Sequence, residues 1–341
     1  MGQKIIKIKR AALYLMKNLY FPVKMWYTLV STLIWRNNRM VKILATDGIE
    51  SSAAKALADL GFEVTQQFYE ENVLPARAAE YDVIVVRSAT KIRKPVIDEA
   101  AKAGRLKLII RGGVGIDNID AAYAKEKGID VQNTPLASSA SVAELAIGHM
   151  FSLARFIYDA NVTMRAGKWE KKRYEGIELA GKTLGLIGMG RIARCAAKMA
   201  SALGMKVIYT NFSGPKKENE PFAYVKLDEL LAKADFISLH VPKTDKPILD
   251  AANIAKMKDG VFLINTARAA LVDTAEMLKA LDSGKIAGAA LDVFEEEPIK
   301  DAKVYTHPKI SMTPHIGAST LEAQLRIGED IVSIISAKFK S

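Results

Sequence analysis

The sequence predicts an α/β protein with two domains, each built around a parallel β-sheet. The chain has 341 residues, about twice the length of a common single domain, so two domains are expected. From Met40 onward, short β-branched segments alternate with helical patterns, which is typical of βαβ units and parallel sheets. Half of the residues are hydrophobic and 26% are charged. This composition excludes disordered, collagen-like and multispan membrane proteins.

Eight strands are predicted from short runs of apolar and β-branched residues. They cover residues 42–46, 83–87, 108–111, 183–187, 206–209, 236–239, 261–265 and 288–291. Helices are expected between them, for example over residues 51–60 and 227–233. A longer helical pattern begins at Ser141 and runs to about Ala166, with Ser141 and Glu144 as a capping box at its start. A helix of that length would bridge two domains.

The first 39 residues differ from the rest of the chain. They contain eight Lys and Arg residues and no Asp or Glu, so eight of the eleven net positive charges lie there and three remain for the other 302 residues. A nearly balanced body gives no reason to expect a nucleic-acid partner. The longest uncharged run, residues 25–35, is shorter than the roughly 20 apolar residues of a membrane span, so no span is expected. The segment is either a basic amphipathic membrane-surface segment or an extension outside the fold, and we favour the extension.

Cysteine usage limits the covalent and metal chemistry of the chain. The sequence contains a single cysteine, Cys195. An intrachain disulfide and a cysteine-rich zinc site are therefore excluded, and a reducing, cytoplasmic location is expected. No metal site is predicted.

A glycine-rich turn follows the predicted strand 183–187. Gly188 and Gly190 precede Ala193, and an Ala-rich helix begins there. The first glycine permits a tight turn, the second lets a pyrophosphate approach the backbone, and a small third residue lets the helix pack on the strand. The helix amino terminus offers free N–H groups to the phosphates. The pattern predicts a dinucleotide site, with an ordinary turn as the alternative.

The residue expected to hold the adenosine ribose lies about 20 residues further on, at the end of the next strand. Asn211 occupies that place, and Ser213, Lys216 and Lys217 follow. A carboxylate there would repel a 2′-phosphate, whereas the neutral amide does not. We therefore hypothesise a relaxed or NADP-leaning cofactor choice; the alternative is that the lysines belong to a solvated loop.

Three segments in the last third of the chain contain residues suited to acid–base chemistry. Arg268 follows the strand 261–265, three consecutive glutamates end at Glu297, and His315 follows Pro314. Because ligands bind beyond the carboxyl ends of parallel strands, these segments can meet at one site. A histidine can take a hydroxyl proton, a carboxylate can fix its tautomer, and an arginine can clamp a substrate carboxylate. Spacing alone leaves open a loop histidine, a solvated acidic run and a surface ion pair.

From Met40 to its end the chain resembles the NAD-dependent D-2-hydroxyacid dehydrogenases, most closely their phosphoglycerate dehydrogenase branch. Several motifs carry the resemblance in the same order over 302 residues. They are 86–92 (VRSATKI), 111–120 (RGGVGIDNID), 133–135, 141–147 (SVAELAI), 176–190, 240–242, 265–268, 292–298 and 314–320 (PHIGAST). The resemblance ends with the catalytic unit, so a short form without a regulatory domain is expected.

The resemblance implies two Rossmann-like or flavodoxin-like domains with parallel sheets, the cofactor domain being inserted into the substrate domain. The expected substrate domain covers residues 40–139 and 315–341, and the expected NAD(P)-binding Rossmann domain covers residues 140–314. Residues 1–39 would lie outside the fold. Members of the family are commonly dimers joined through the cofactor domain and the long helix, so a homodimer is expected.

The resemblance also implies roles for individual residues. His315 would be the acid/base, Glu297 its partner, and Arg268 the ligand of the substrate carboxylate. The remaining substrate residues would be Arg87, Ser88, Gly112 and Gly113, with Arg87 as a candidate for a phosphate. The cofactor residues would be Val114, Gly188, Gly190, Arg191, Ile192, Asn211, Val241, Thr266, Ala267 and Asp292, with Asp292 on the nicotinamide carboxamide.

Three positions depart from the family pattern. Asn211 replaces the usual Asp, Ala269 replaces the glycine that usually follows Arg268, and Ser138 stands where many relatives have Asn. The first leaves the choice between NAD and NADP open, and the other two leave the fit of the substrate open.

The predicted activity is that of an oxidoreductase that moves a hydride between C2 of a 2-hydroxy acid and a nicotinamide. The favoured reaction is oxidation of D-3-phosphoglycerate to 3-phosphohydroxypyruvate, the first step of serine biosynthesis. A glyoxylate or hydroxypyruvate reductase is the alternative of the same class. A nicotinamide-sensing interaction protein, as in the related transcriptional corepressors, is the alternative of another class. Arg268, Glu297 and His315 are all present and favour an enzyme.

Overall fold

A computed structural model describes residues 40–340, which form twelve strands, twelve α-helices and three short 3₁₀ helices. The two hypotheses for the first 39 residues lie outside the described residues. The expected α/β class with two parallel sheets is confirmed.

The first sheet has five parallel strands in the order β2-β1-β3-β4-β5. Its strands are β1 (Lys42–Ala45), β2 (Glu63–Gln66), β3 (Val83–Val86), β4 (Leu108–Arg111) and β5 (Asp130–Asn133). The helices that connect them are α1 (Ser51–Asp59), α2 (Leu74–Ala78), α3 (Lys94–Ala103) and α4 (Ala121–Glu126).

The first sheet is covered on both faces, because its side chains alternate between two hydrophobic clusters. Leu44, Ile84 and Ile109 pack with residues of α2, α3 and α4 on one face. The residues next to them in sequence, such as Ile43 and Val85, pack on the opposite face with α1. Burial of both faces explains why these strands read as continuous apolar runs.

The second sheet has seven parallel strands in the order β12-β11-β10-β9-β6-β7-β8. Its strands are β6 (Thr183–Ile187), β7 (Lys206–Thr210), β8 (Ala223–Tyr224), β9 (Phe236–Leu239), β10 (Val261–Asn265), β11 (Ile286–Leu291) and β12 (Ile310–Met312). Its connecting helices are α7 (Arg191–Ala202), α8 (Leu227–Lys233), α9 (Ala251–Ala255), α10 (Thr274–Ser283) and α11 (Ala302–Tyr305). Two further hydrophobic clusters cover its faces.

Two helices, not one, connect the sheets. The predicted long helix is wrong because Phe156 adopts a left-handed backbone conformation (φ 51°), which an α-helix cannot continue through. The chain divides there into α5 (Ser139–Arg155) and α6 (Ile157–Arg165), which meet at an angle of 64°. The predicted capping box is also wrong. Ser138 is the N-cap, and the Ser141 hydroxyl lies 2.8 Å from the Thr320 hydroxyl instead.

The final helix, α12 (Leu321–Phe339), returns to the first sheet after the second sheet is complete. Ile327, Ile331 and Ile335 of α12 join the cluster of Ile43 and Val85. A side chain at Gly328 would meet Ala53 of α1 at 2.8 Å. The chain therefore inserts the second sheet between two parts of the first unit, as expected. The boundaries at residues 139/140 and 314/315 stay a prediction.

Within residues 40–340, no single helix is long and apolar enough to cross a membrane. Helices α5 and α6 meet the length and hydropathy criteria only as a bent pair, and α5 is largely buried in the protein. The same residues contain no group of three His, Cys, Asp or Glu side chains that could hold a metal ion.

Each sheet has a point at which the strand order reverses, and ligands of open α/β sheets bind at such points. In the second sheet the reversal lies between β6 and β9, where the Gly188 turn and His240 emerge. In the first sheet it lies between β1 and β3, where Asp47 and Arg87 emerge.

Candidate active site

A cleft of about 480 Å³ brings together loops of the two sheets. Its volume is typical of small-molecule sites, which span roughly 300–1,000 Å³. Ten of the predicted site residues line it: Val114, Gly190, Arg191, Ile192, Val241, Thr266, Ala267, Arg268, Asp292 and His315. The other predicted residues lie outside this lining: Arg87, Ser88, Gly112, Gly113, Gly188, Asn211 and Glu297.

The glycine turn after β6 is shaped for close approach of another backbone and of a ligand. Gly188 has φ 92°, and a Cβ there would lie 2.6 Å from the carbonyl oxygen of His240, so the turn requires glycine. At Gly190 a Cβ would meet nothing within 4 Å, which leaves open space over the turn. The N–H of Met189 donates to Oδ1 of Asn211 at 2.7 Å. Asn211 therefore braces the turn from the end of β7.

These residues fit a nicotinamide dinucleotide. Helix α7 has twelve residues and begins at the cleft, and no side chain caps its amino terminus. Its first N–H groups, with the open space at Gly190, suit a pyrophosphate. Thr266 lines the cleft, and its hydroxyl is buried without a hydrogen-bond partner. A bound polar group would satisfy it, as buried polar atoms require.

His315 and Glu297 form a close pair at the cleft. Nδ1 of His315 lies 2.7 Å from Oε2 of Glu297, and the other carboxylate oxygen accepts the N–H of Phe294 at 3.2 Å. Burial raises the pKa of Glu297, but the hydrogen bond and charge of His315, followed by Phe294 and Arg268, lower it below its ordinary value of 4.5. Glu297 is therefore ionised near neutral pH. It fixes a proton on Nδ1 and leaves Nε2 of His315 for the substrate.

The loop that carries His315 is strained and is held by Asp292. His315 has φ 53°, a conformation that costs a non-glycine residue about 1–2 kcal/mol. Oδ1 of Asp292 accepts the N–H of Ile316 at 2.8 Å, and Oδ2 accepts that of Gly317 at 2.9 Å. Both oxygens thus stabilise the loop. The role of Asp292 on the nicotinamide stays a prediction.

Arg268 extends from the end of β10 across the cleft to the first unit. Its Nε donates to Oδ2 of Asp117 at 2.7 Å, and its Nη2 lies 2.7 Å from the same oxygen. A Cβ on Gly115 would overlap the guanidinium, so this glycine makes room for it. Buried Asn265 holds the base of the turn, because its amide donates to the Arg268 carbonyl and accepts from Ala267 N–H.

Arg111 is a second guanidinium at the cleft, and it was not among the predicted site residues. Its Nε is buried without a hydrogen-bond partner, and a Cβ on Gly113 would overlap its Nη1. Burial, followed by the charges of Arg268 and Arg87, lowers the pKa of Arg111 to about 10. Three positive side chains therefore influence one another here.

The structure places the other predicted substrate residues, Arg87, Ser88 and Gly112, around the same loops. Arg87 is held by its backbone, since its N–H donates to Asp47 at 2.6 Å and its carbonyl accepts from Asn118 at 2.8 Å. Ser88 is exposed in the same loop. Gly112 is buried, and a Cβ there would meet Ile327 of α12 at 3.2 Å. Gly112 therefore leaves room for packing of α12, and its contact with substrate stays a prediction.

Sequence reasoning missed Asp117 and Asn265, which contact Arg268, and Arg111, whose pKa the charge of Arg268 lowers. It also missed His149, which contacts Thr313. Arg111 and Asp117 lie inside the matched motif RGGVGIDNID, and Asn265 lies inside the matched segment 265–268, so these motifs contain a signal for the three residues. His149 lies in a helix, and no local pattern distinguishes it.

Comparison with known proteins agrees with this geometry. Residues 147–317 match the model of the D-isomer specific 2-hydroxyacid dehydrogenase NAD-binding domain. The chain is 47% identical over 300 residues to hydroxypyruvate reductase of Thermotoga maritima, covering 86% of this chain and 97% of that one. It is 47% identical over 295 residues to D-3-phosphoglycerate dehydrogenase of Methanocaldococcus jannaschii, covering 85% of this chain but 56% of the relative.

Among solved structures, a glyoxylate reductase from Paecilomyes thermophila matches with a TM-score of 0.80 and 33% identity, covering 89% of this chain and 97% of that one. The residues of the cleft, the family model and these relatives lead to one assignment. The chain belongs to the D-isomer-specific 2-hydroxyacid dehydrogenases, oxidoreductases that act on a CH–OH group with a nicotinamide dinucleotide.

Proposed function

We propose that the chain interconverts D-3-phosphoglycerate and 3-phosphohydroxypyruvate. The observation that carries this proposal is the group of three arginines. One guanidinium, Arg268, is enough for the carboxylate of any 2-hydroxy acid. Arg111 lines the same cleft, and the charges of Arg268 and Arg87 act on it more strongly than the opposing charges of Asp117 and Asp47. Nε of Arg111 is buried without a partner. A second anionic group on the substrate would neutralise this charge. The archaeal phosphoglycerate dehydrogenase relative also supports the proposal.

The mechanism assigns one task to each side chain. A nicotinamide dinucleotide held by Gly190, Arg191 and Thr266 would supply or accept the hydride at C2 of the substrate. In oxidation, Nε2 of His315 takes the proton of the C2 hydroxyl, and in reduction it returns that proton. Glu297 stabilises the charged imidazole through Nδ1, to which it is bound at 2.7 Å. Arg268 holds the substrate carboxylate, which takes over the guanidinium contacts that Asp117 makes in this structure.

The first test compares two substrates with the full chain. Oxidation of NADH is followed with 3-phosphohydroxypyruvate and with unphosphorylated hydroxypyruvate, and NADPH is tried with both. We expect kcat/KM to favour the phosphorylated acid by at least about tenfold, since a charge-assisted contact contributes roughly 1.5–3 kcal/mol. Equal or reversed preference contradicts the proposal.

A charge-removal series tests the arginines directly. We expect Arg111→Gln and Arg87→Gln to raise KM for the phosphorylated acid at least about fivefold, and to change KM for hydroxypyruvate less, because only the former has a second anion to lose. Lys91→Gln is the matched control. This substitution also removes one positive charge, but from an exposed position in the loop that follows Arg87. Equal changes in KM for both substrates would show that Arg111 and Arg87 do not bind the phosphate.

Two alternatives are decided by the same measurements. A hydroxypyruvate or glyoxylate reductase is favoured by the Thermotoga maritima relative, and preference for unphosphorylated acids in the first test would establish it. A nicotinamide-sensing interaction protein has the same fold. Absence of turnover with both acids and both cofactors, together with specific capture of protein partners, would favour that class.

We propose relaxed cofactor choice that admits NADP as well as NAD. Asn211 braces the glycine turn through Oδ1 without adding a negative charge. A 2′-phosphate therefore meets no repulsion from this side chain, and Lys216 and Lys217 are close in sequence. Initial rates with NADH and NADPH at matched concentrations test this directly. A strong preference for NADH would contradict the proposal.

We also propose that two copies of the chain associate through α6. Helix α6 has no buried residue, although it carries several large apolar side chains. Between 46% and 63% of each of these side chains is exposed: Ile157, Tyr158, Val162 and Met164. Several exposed apolar side chains on one helix are typical of an interaction site. A second copy is the partner that the family resemblance implies.

A further inference from the structure

His149 is a buried titratable residue that the mechanism does not use. It lies in α5 and is 4% exposed. Its Nε2 is 3.0 Å from the hydroxyl of Thr313. Thr313 follows β12 and comes two residues before His315. The contact thus connects the helix between the two sheets to the loop that carries the acid/base.

A chain of hydrogen bonds continues from Thr313 into that loop. The Thr313 hydroxyl donates to Oδ1 of Asp292 at 2.7 Å, and Asp292 is 1% exposed. The same carboxylate accepts the N–H groups of Ile316 and Gly317, on the far side of His315. The chain runs from His149 through Thr313 to Asp292, and Asp292 holds the backbone on which the strained φ of His315 depends.

The chemistry of the groups sets the direction of each bond. A carboxylate only accepts hydrogen bonds, and a hydroxyl has a single proton to donate. Because that proton goes to Asp292, the oxygen of Thr313 accepts from His149, so Nε2 of His149 carries a proton. Burial lowers the pKa of His149, and the charge of Asp292 opposes this only in part. His149 is thus a neutral imidazole with its proton on Nε2.

We propose that His149 is a positioning residue: its Nε2–H orients the Thr313 hydroxyl toward Asp292 and thereby holds the loop of His315 in its strained conformation. His149 does not touch the cleft, because α5 contributes only its first turns, Ser139 and Val142, to the lining. Its effect on catalysis rests on the proposed function, whereas its tautomer does not.

Two substitutions separate the donor from the packing. His149→Gln keeps an N–H group near the position of Nε2, whereas His149→Met has similar volume and no donor. We expect His149→Met to lower kcat about threefold to tenfold with little change in KM for the keto acid, because one hydrogen bond is lost and the arginines are untouched. His149→Gln should recover most of kcat. Equal losses in both variants would indicate packing alone and overturn the proposal.

Ser152→Ala is the matched control. The Ser152 hydroxyl lies 3.4 Å from that of Ser311, so it connects the same helix to the strand before Thr313 without leading to Asp292. We expect this variant to keep kcat. A loss of kcat equal to that of His149→Met would show that any contact between α5 and this segment matters, and would overturn the specific role of His149.

The tautomer is tested without turnover. The sequence contains four histidines, so ¹⁵N labelling of histidine in the full chain gives few imidazole signals, and His149→Gln identifies the one of His149. We expect a protonated Nε2 and an unprotonated Nδ1 at pH 7. A proton on Nδ1 alone, or a charged ring, would overturn the proposal. If no 2-hydroxy acid is turned over, the proposed function fails while this measurement still decides the hydrogen-bond chain.

Discussion

His315 shows how a single residue obtains its function from distant partners. Its ring is oriented by Glu297, and its left-handed backbone is held by Asp292 through Ile316 and Gly317. The strain of about 1–2 kcal/mol is offset locally by hydrogen bonds to a buried carboxylate, each of which contributes roughly 1.5–3 kcal/mol. The geometry of the proposed acid/base therefore depends on two acidic residues with separate tasks, one for the ring and one for the backbone.

The task of Glu297 leads to a prediction for activity. Glu297→Gln removes the negative charge that stabilises the protonated imidazole, so we expect kcat to fall by roughly 10²-fold or more with little change in the dissociation constant of NADH. Steady-state kinetics and NADH fluorescence titration measure the two quantities. Glu296→Gln is the control, because Glu296 pairs with Lys300 at 3.0 Å on the surface. Similar kcat values for Glu297→Gln and Glu296→Gln would show that Glu297 has no role in catalysis.

The same residue predicts a pH dependence of stability. The folded-state pKa of Glu297 is lowered below 4.5, so its contribution to the free energy of unfolding is full above about pH 4.5 and is lost as pH falls through the lowered pKa. We expect the difference in thermal midpoint between wild type and Glu297→Gln to shrink between pH 5 and pH 3. A difference that stays constant or grows toward acid would contradict the assigned shift.

The sequence identified residues whose chemistry is local and missed those that act through contacts. Arg268, Glu297 and His315 follow strands or belong to distinct motifs, so their types and positions indicate a site. Asp117 is 151 residues from its partner Arg268, and His149 is 164 residues from Thr313. No periodicity or spacing contains such pairings, because only the packing of two sheets and α5 brings these side chains together.

The strands divide clearly into those that the sequence predicted and those that it missed. The eight predicted strands are interior in their sheets, whereas the four that were missed, β2, β5, β8 and β12, are the edges. Interior parallel strands are buried on both faces and read as apolar runs, as in β3, where all four residues are buried. The edge strands β2, β5 and β8 contain no buried residue, so their sequences lack that signal.

The break between α5 and α6 was missed for a related reason. Helix ends are usually marked by Gly or Pro, but the residue in the left-handed conformation here is Phe156. Its ring lies 5.9 Å from that of Tyr174. The local sequence does not favour a left-handed conformation at Phe156, and its helical pattern continues through this residue. The break is accompanied by tertiary packing, which the local pattern does not contain.

The turn between β6 and α7 leads to a prediction for cofactor binding, made at Gly188. Gly188→Ala adds a Cβ that would lie 2.6 Å from the backbone oxygen of His240, so the turn must shift. We expect the dissociation constant of NADH to rise by more than about tenfold. Fluorescence titration of NADH measures it.

Gly260→Ala is the control for backbone strain without a collision. Gly260 has φ 75°, but a Cβ there would meet nothing within 4 Å. This variant should lower stability by about 1–2 kcal/mol and leave NADH binding unchanged. If Gly188→Ala binds NADH as well as Gly260→Ala does, the close approach to His240 does not shape the cofactor site.

For the whole molecule, the ion pair of Arg268 with Asp117 is a contact between loops of the two units at the cleft. In the proposed mechanism the substrate carboxylate competes with Asp117 for this guanidinium. The site therefore belongs to neither unit alone. It depends on the way in which the chain leaves the first sheet through α5 and returns to it through α12.

The proposed association through α6 gives the prediction for the assembled molecule. Val162→Glu places a charge among apolar side chains that a second copy would bury, and an unpaired buried charge is strongly unfavourable. We expect the wild-type chain to sediment as a dimer and Val162→Glu to shift toward the monomer at micromolar concentration. Leu321→Glu is the control, because Leu321 is 82% exposed at the start of α12 and apart from this surface. Sedimentation velocity distinguishes the outcomes. A wild-type monomer, or equal behaviour of the two variants, would show that α6 does not join two copies of the chain.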